Sequence, residues 1–236
     1  MEKTLILDDI GLIDYEQAWN YQTQVHNSLI NQKKAKNVLM EQSHRLILCE
    51  HPHVYTLGKS GKEEHLVMPE EELSKINATY YRINRGGDIT YHGPGQLVVY
   101  PILDLEQLFT DVHKYVRLLE ESVIQTLMYY NIVGERVKEY TGVWLDVAGS
   151  NPRKICAIGV HLSRWVSLHG LAFNINSDLS YFNHIIPCGI SSQDKSVTSL
   201  EKELGKKIDM EELKSLFVKN FGELFNLKII SKNDIG

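Results

Sequence analysis

The chain has 236 residues, 43% of them apolar, with 25 basic side chains against 30 acidic ones. That length holds one large domain or two small ones with ample core. No stretch nears the roughly 18 apolar residues of a membrane span, and the mildly acidic balance excludes a general nucleic-acid binder.

Cys49, Cys156 and Cys188 are too sparse and too odd in number for a disulfide framework and fit a reducing compartment. The stretch Met1 to Asp9 is too short and too acidic for a signal peptide, so a cytoplasmic protein is expected. The sequon Asn77-Ala78-Thr79 then carries no meaning.

Thr4 to Leu7 reads as a first strand. Tyr15 to Ile30 places Trp19, Val25, Leu29 and Ile30 at amphipathic helical spacing. Lys33, Lys34 and Lys36 follow as a solvated basic face. Arg45 to Cys49 and Val54 to Leu57 read as strands, Glu63 to Leu73 as acidic loop or helix, and Ala78 to Ile83 as a strand. Asp111 to Tyr130 repeats Val112, Val116, Leu119, Val123 and Leu127 with helical period. Gly142 to Val147, Ile155 to Leu162 and Leu168 to Ile175 suggest an antiparallel meander. A third helix is expected from Asp209 to about Asn226, with Glu212 completing a capping box, and Leu227 to Ile230 closes the chain as a strand. No repeat or linker interrupts this order, so a single domain over 1–236 is expected. Strands and helices in separate blocks predict an α+β fold.

Some motifs mislead. Gly58-Lys59-Ser60 resembles the end of a phosphate-binding loop, but the glycine required five residues earlier is His53. His51-Pro52-His53 lacks the further ligands that zinc needs, so no metal is expected. Cys49 lies in an apolar strand and reads as an inert thiol. Cys156 shares a strand face with Lys154 and is the rival nucleophile.

The stretch Arg85-Gly86-Gly87-Asp88-Ile89-Thr90-Tyr91-His92-Gly93-Pro94-Gly95-Gln96 packs four glycines and a proline into twelve residues before an apolar strand. By composition it is a hairpin loop with a tight turn at Gly93-Pro94-Gly95, or a loop that presents backbone to a ligand. Cys188 sits between Pro187 and Gly189 in a loop that can hold a thiol rigidly. The thiolate is the nucleophile, and a nearby ammonium favours it. Lys154 is the candidate ammonium, with a solvated strand lysine as the alternative.

The twelve-residue string resembles the RGG-x-x-TYHGPGQ signature of the lipoyl(octanoyl) transferase family. Glu50 to Gly58 is similar to that family's Glu-His-Pro-x-Val-Tyr-Thr-Leu-Gly element, a strand and turn lining the site. Lys154, Ala157-Ile158-Gly159, Gly170-Leu171-Ala172 and Pro187-Cys188-Gly189 match its later motifs in order. The resemblance spans roughly Leu46 to Leu200 and implies a biotin/lipoate-ligase-like fold, a mixed, mainly antiparallel sheet packed with helices.

It further implies octanoyl transfer from an octanoyl-acyl-carrier protein to the acceptor lysine of lipoyl domains, those of the 2-oxoacid dehydrogenases and the glycine cleavage H protein. Cys188 would form the acyl thioester and Lys154 would serve it. Arg85 to His92 (Arg85, Gly86, Gly87, Asp88, Ile89, Thr90, Tyr91, His92), Ala157, Ile158, Gly159, Gly170, Leu171 and Ala172 would wall the acyl site. No cofactor is implied. The acidic partners would dock on basic residues among Lys33, Lys34, Lys36, Lys59 and Lys62. An ATP-dependent lipoate or biotin ligase of the same fold and a non-catalytic binding protein are the alternatives.

Overall fold

The computed structural model describes residues 3–35, 44–186 and 196–231. Strands β1 (Thr4–Leu12), β2 (His44–Glu50), β6 (Gln96–Ile102), β8 (Tyr140–Leu145), β9 (Arg153–Ser163) and β10 (Val166–Asn174) form the body of one sheet. The short strands β7 (Glu135–Val137), β11 (Ser196–Val197) and β12 (Lys228–Ser231) complete it. Its order is β12-β1-β2-β6-β10-β9-β8-β7, with β11 laid along β9. From β2 through β6, β10, β9, β8 and β7 every pairing is antiparallel, whereas β12 and β2 flank β1 in parallel. A second sheet, β4-β3-β5, joins β3 (Val54–Leu57), β4 (Thr79–Arg82) and β5 (Ile89–His92).

Period-two alternation divides the large sheet's residues between two cores. Leu46, Leu48, Leu97, Val99, Leu171 and Phe173 point to one side, against α2 (Val112–Tyr129) and α4 (Met210–Phe225). Ile47, Cys49, Val98, Tyr100, Leu168 and Ala172 point to the other, against α1 (Tyr15–Ala35). Both faces are covered, which is why β2, β6 and β10 read as near-continuous apolar runs. Each fully buried aliphatic side chain contributes roughly 1.5–3 kcal/mol.

The helix starts follow local chemistry. Asp111 accepts from the Lys114 N–H, and Asp209 from those of Glu211 and Glu212. Glu212 does not close a capping box. Its carboxylate accepts from the Tyr129 hydroxyl at 3.1 Å. A short helix α3 (Leu200–Leu204), like β7 and β11, is too brief to leave a periodic trace in the sequence.

The stretch expected to be wholly loop is half strand. Ile89, Thr90 and Tyr91 have strand-forming side chains, and β5 pairs with β3 through Leu57↔Ile89, Thr56↔Thr90 and Tyr55↔Tyr91. The turn after it is as expected, with Gln96 N–H donating to Gly93 O at 3.2 Å. Gly95 takes φ +79°, and a Cβ there would lie 2.4 Å from Asn176 O. Its N–H donates to Glu50 Oε2 at 2.7 Å, tying the turn to the end of β2.

Gly95→Ala should therefore cost about 2 kcal/mol or more, from the left-handed backbone and the close carbonyl together. Urea unfolding checks it, and an unchanged midpoint would show that the turn relaxes freely.

Candidate active site

Arg85 organises the site. Its guanidinium donates to Gly86 O at 2.8 Å, Asp88 O at 2.7 Å and Thr56 O at 3.1 Å, so the planar fork binds the loop that carries it. The same loop is held from outside. Gly58, Lys59 and Ser60 donate their N–H groups to the carbonyls of Asp88, Arg85 and Gly87 at 3.3, 2.9 and 3.1 Å. A Cβ on Gly58 would sit 2.3 Å from Gly87 O, so only glycine permits this approach. Those N–H groups are spent on protein carbonyls, which is the physical reason that the phosphate-loop look-alike fails. Gly86 N–H donates to Val160 O at 3.1 Å and docks the loop on β9.

Between this loop, α1 and the large sheet lies a cavity of about 470 Å³. Arg85, Gly86, Gly87, Asp88, Ile89, Thr90 and His92 line one side of it. Lys154, Ala157, Ile158 and Gly159 of β9 line another, with Gly170, Leu171 and Ala172 of β10. Gly159 and Gly170 are directly paired across the two strands. A Cβ on Gly159 would meet Arg85 Cδ at 2.7 Å. Of the described residues expected to wall the site, Tyr91 alone turns away. It packs under β5 with Tyr55, and its hydroxyl donates to His53 Nδ1 at 2.8 Å. Cys188 lies outside the described residues.

His92, Gln96, Tyr100, His169 and Asn174 line the cavity with polar, uncharged groups, and His51 lies behind them. His51 Nδ1–H donates to Ile13 O at 2.8 Å, and its Nε2 accepts from the Tyr100 hydroxyl at 2.8 Å. His92 Nδ1–H donates to Gln96 Oε1 at 2.8 Å, and Gln96 Nε2 passes the chain on to Asn174 Oδ1 at 2.9 Å. Burial pushes the His51 imidazole down to about 4 and that of His92 to about 3. His169 also falls to about 3, by burial and then by the positive field of Arg85. Its Nε2–H donates to Asn84 Oδ1 at 2.6 Å, and its residue adopts φ +61°. Burial raises the phenols of Tyr15 and Tyr100 far above their usual range. These groups offer an uncharged chain a polar but neutral surface beside the charges of Arg85, Asp88 and Lys154.

Cys49 and Cys156 are wholly buried, one in each core, and burial pushes both thiols up. Cys156 faces the α2 side and does not line the cavity, so it lacks both access and thiolate character. Lys154 does line it, with its ammonium 4.7 Å from the centre of the Trp144 ring. Among the described residues no group of three His, Cys, Asp or Glu side chains is arranged to hold a metal ion. Lys33 departs from the expected solvated face, because its ammonium is bound by Asp104 at 2.6 Å and Glu106 at 3.0 Å. Lys34, Lys59 and Lys62 are exposed, and Lys36 lies outside the described residues.

Residues 14–222 match the family described as the lipoyl protein ligase A/B catalytic domain. An octanoyltransferase of Cytophaga hutchinsonii is 54% identical over 235 residues, which cover 96% of this chain and 95% of that one. The chain belongs to this family. It is an acyltransferase, and octanoyl transfer in lipoate biosynthesis follows from relatives this similar over nearly full length. Family membership implies lipoyl domains as acceptors. Two solved structures bear out the biotin/lipoate-ligase-like fold. A lipoate-protein ligase A bound with ATP is 16% identical with TM-score 0.65, covering 100% of this chain and 92% of that one. The biotin protein ligase of Aquifex aeolicus in complex with biotin and ATP is 16% identical with TM-score 0.50, covering 94% and 70%. No helix among the described residues is long and apolar enough to cross a membrane.

Sequence reasoning missed Tyr15, Gln96, Tyr100, Tyr140, His169 and Phe182 as cavity residues. Gln96 closes the matched twelve-residue string and His169 directly precedes Gly170-Leu171-Ala172, so the motif edges were the available signal. Tyr15 comes from a helix whose period marks it only as core.

Two outcomes test this site. Arg85→Lys keeps the charge but loses the fork that joins three carbonyls, so transfer should fall at least tenfold while the fold persists by circular dichroism. The buried histidines set a pH dependence of stability. Their folded pKa values lie below the unfolded value of about 6.5, so the unfolded chain binds more protons in between. Stability should be full above about pH 6.5 and fall as the pH drops toward 4, by up to about 1.4 kcal/mol per pH unit for each histidine. Urea midpoints between pH 7 and 5 measure the slope, and His92→Gln should flatten it.

Proposed function

We propose that the chain is one catalytic unit that moves octanoyl through a Cys188 thioester from an octanoyl-acyl-carrier protein to a lipoyl-domain lysine. The observation that carries this reading is a convergence on one cavity. Lys154 meets there with Phe182 and Val197, lining residues that precede and follow Cys188 in sequence. Val197 of β11 pairs directly with Lys154 of β9. Ile186, two residues before Cys188, is held by its N–H on His65 O at 2.8 Å.

The thiolate of Cys188 attacks the donor thioester carbonyl. The new carbon–sulfur bond forms as the bond to the carrier's phosphopantetheine sulfur breaks, and the Lys154 ammonium supplies the proton to the departing thiolate. In the second half-reaction the acceptor amine attacks acyl-Cys188. Neutral Lys154 takes the amine's proton, the amide forms, and Cys188 leaves as a thiolate beside a restored ammonium. Thioester exchange is nearly isoenergetic and aminolysis runs downhill, so no nucleotide is required. Val98, Ala172 and Ile158 offer apolar contact to the chain, with each buried methylene contributing about 0.8 kcal/mol. The natural acceptors are the lipoyl domains of 2-oxoacid dehydrogenases and the glycine cleavage H protein, and the setting is the cytoplasm.

Incubation with octanoyl-acyl-carrier protein followed by peptide mass spectrometry should find the acyl group on Cys188. Cys188→Ser should abolish both adduct and transfer, whereas Cys156→Ser should keep them. Lys154→Arg, a fixed cation and poor base, should accumulate acyl-enzyme and slow transfer by about 10² to 10⁴. An active Cys188→Ser enzyme, an adduct on Cys156, or ATP–pyrophosphate exchange would overturn the reading.

A further inference from the structure

Trp144 is among the largest fully buried side chains of the protein, and no catalytic step uses it. We infer that the face of this indole is the seat that fixes the Lys154 ammonium at the cavity, which makes Trp144 a positioning residue for transfer. The inference deepens the reading of Lys154 given above and rests on it for its catalytic meaning.

The two residues are cross-strand partners between β8 and β9, next to a register shift between Val143 and Trp144. Such irregularities re-aim side chains beside active sites. The shift is built in. Gly142 takes φ +125°, and a Cβ there would lie 2.4 Å from Cys156 O. The Gly142 N–H donates to Glu120 Oε1 at 3.1 Å, behind the strand. The ring is fixed in turn, because Nε1–H donates to Tyr140 O at 3.2 Å and the Tyr140 ring meets it edge-on at 6.0 Å. It is the charged end of Lys154 that stands over the ring, 4.7 Å from its centre.

An indole face attracts an ammonium through its quadrupole, most strongly where water is excluded. It adds no formal charge of its own. A carboxylate in that place would hold the lysine as firmly but would cancel the field that the lysine offers a neighbouring thiolate. The ring face narrows the positions open to the flexible four-carbon stem. Several titratable groups surround the lysine. Glu139 of the β7–β8 turn and Tyr140 at the start of β8 line the cavity with it, and Cys156 lies on its own strand, its thiol raised by burial. Glu120 of α2 lies behind Gly142 with its carboxylate taken up by Arg117 and Arg136. Arg85, Asp88, His92 and His169 line the remaining walls.

The test replaces Trp144, in the full-length enzyme, by tryptophans carrying one, two and four ring fluorines, which keep the shape and weaken the quadrupole stepwise. Trp144→Phe serves as the conservative genetic variant. Two quantities are read: the rate at which acetic anhydride labels the Lys154 amine at fixed pH, and kcat and KM for octanoyl transfer. Labelling should rise with each fluorine as the ring's hold on the ammonium weakens, by up to about tenfold across the series. The turnover number should fall in the same order while KM holds. Labelling and kcat that stay flat across the series overturn the inference, as does a kcat that stays flat while labelling rises. Failure of the catalytic reading has a separate signature, since Lys154→Ala would then leave Cys188 alkylation and turnover unchanged.

Discussion

The site depends on one side chain bonding to its own loop. Arg85 gathers the carbonyls of Thr56, Gly86 and Asp88 under a single planar cation. A loop rich in glycine has much conformational freedom to lose on folding. Here that freedom is removed by charge-assisted bonds from inside and by three N–H donors of the Gly58 to Ser60 turn from outside. The arginine stem then covers Gly159, where a methyl group would not fit. Loop, turn and sheet are thus joined at one point, and the cavity is what remains between them. The cation is used as structure, and Lys154 brings a second positive charge to the same cavity.

A second constraint follows from the occupant. An apolar chain is best met by uncharged surface, yet the strands that wall the cavity carry backbone and side-chain polar groups. The structure meets this with neutral imidazoles, amides and phenols bonded to one another. His51, Tyr100, His92, Gln96 and Asn174 satisfy their hydrogen bonds with one another and with the carbonyls of Ile13, Tyr91 and Thr198, and burial holds the rings uncharged. A satisfied buried network also specifies one geometry, because breaking any member leaves its partner unpaired.

The sequence exposed these features unevenly. Long helices and central strands were legible because each buries a face that repeats at 3.6 or 2 residues, as in α2 and β10. The parallel placement of β1 between β2 and β12 was not, since pairing partners far apart in sequence leave no local period. Motif residues that meet the cavity through backbone or small side chains, such as Gly159 and Gly170, were legible because only glycine fits there. Tyr15, Tyr100 and His169 were not, for they read as ordinary core. Lys33 was misread for the same reason in reverse, because the carboxylates that bind it, Asp104 and Glu106, stand about seventy residues away in the chain.

Tyr91 shows what a motif residue does when it leaves the wall. Its ring stacks on Tyr181 at 5.0 Å, and Tyr181 stacks on His53 at 4.0 Å with the planes 6° apart. The Tyr55 hydroxyl donates to Tyr181 O at 2.9 Å, and the Tyr181 hydroxyl to Ile76 O at 3.2 Å. On the other flank His65 Nδ1–H donates to Asp88 Oδ2 at 2.6 Å, while the backbone of His65 receives Ile186. All of these contacts except the His65–Asp88 bond end on residues 181–186, and that bond fixes the residue that receives Ile186. The strand that lines the cavity with Thr90 and His92 therefore uses its opposite face to hold the stretch running toward Cys188. Alternation along a four-residue strand lets one element serve both tasks, since consecutive side chains must point to opposite sides. That is also why a tyrosine outside the cavity belongs in the same short motif as the residues that wall it.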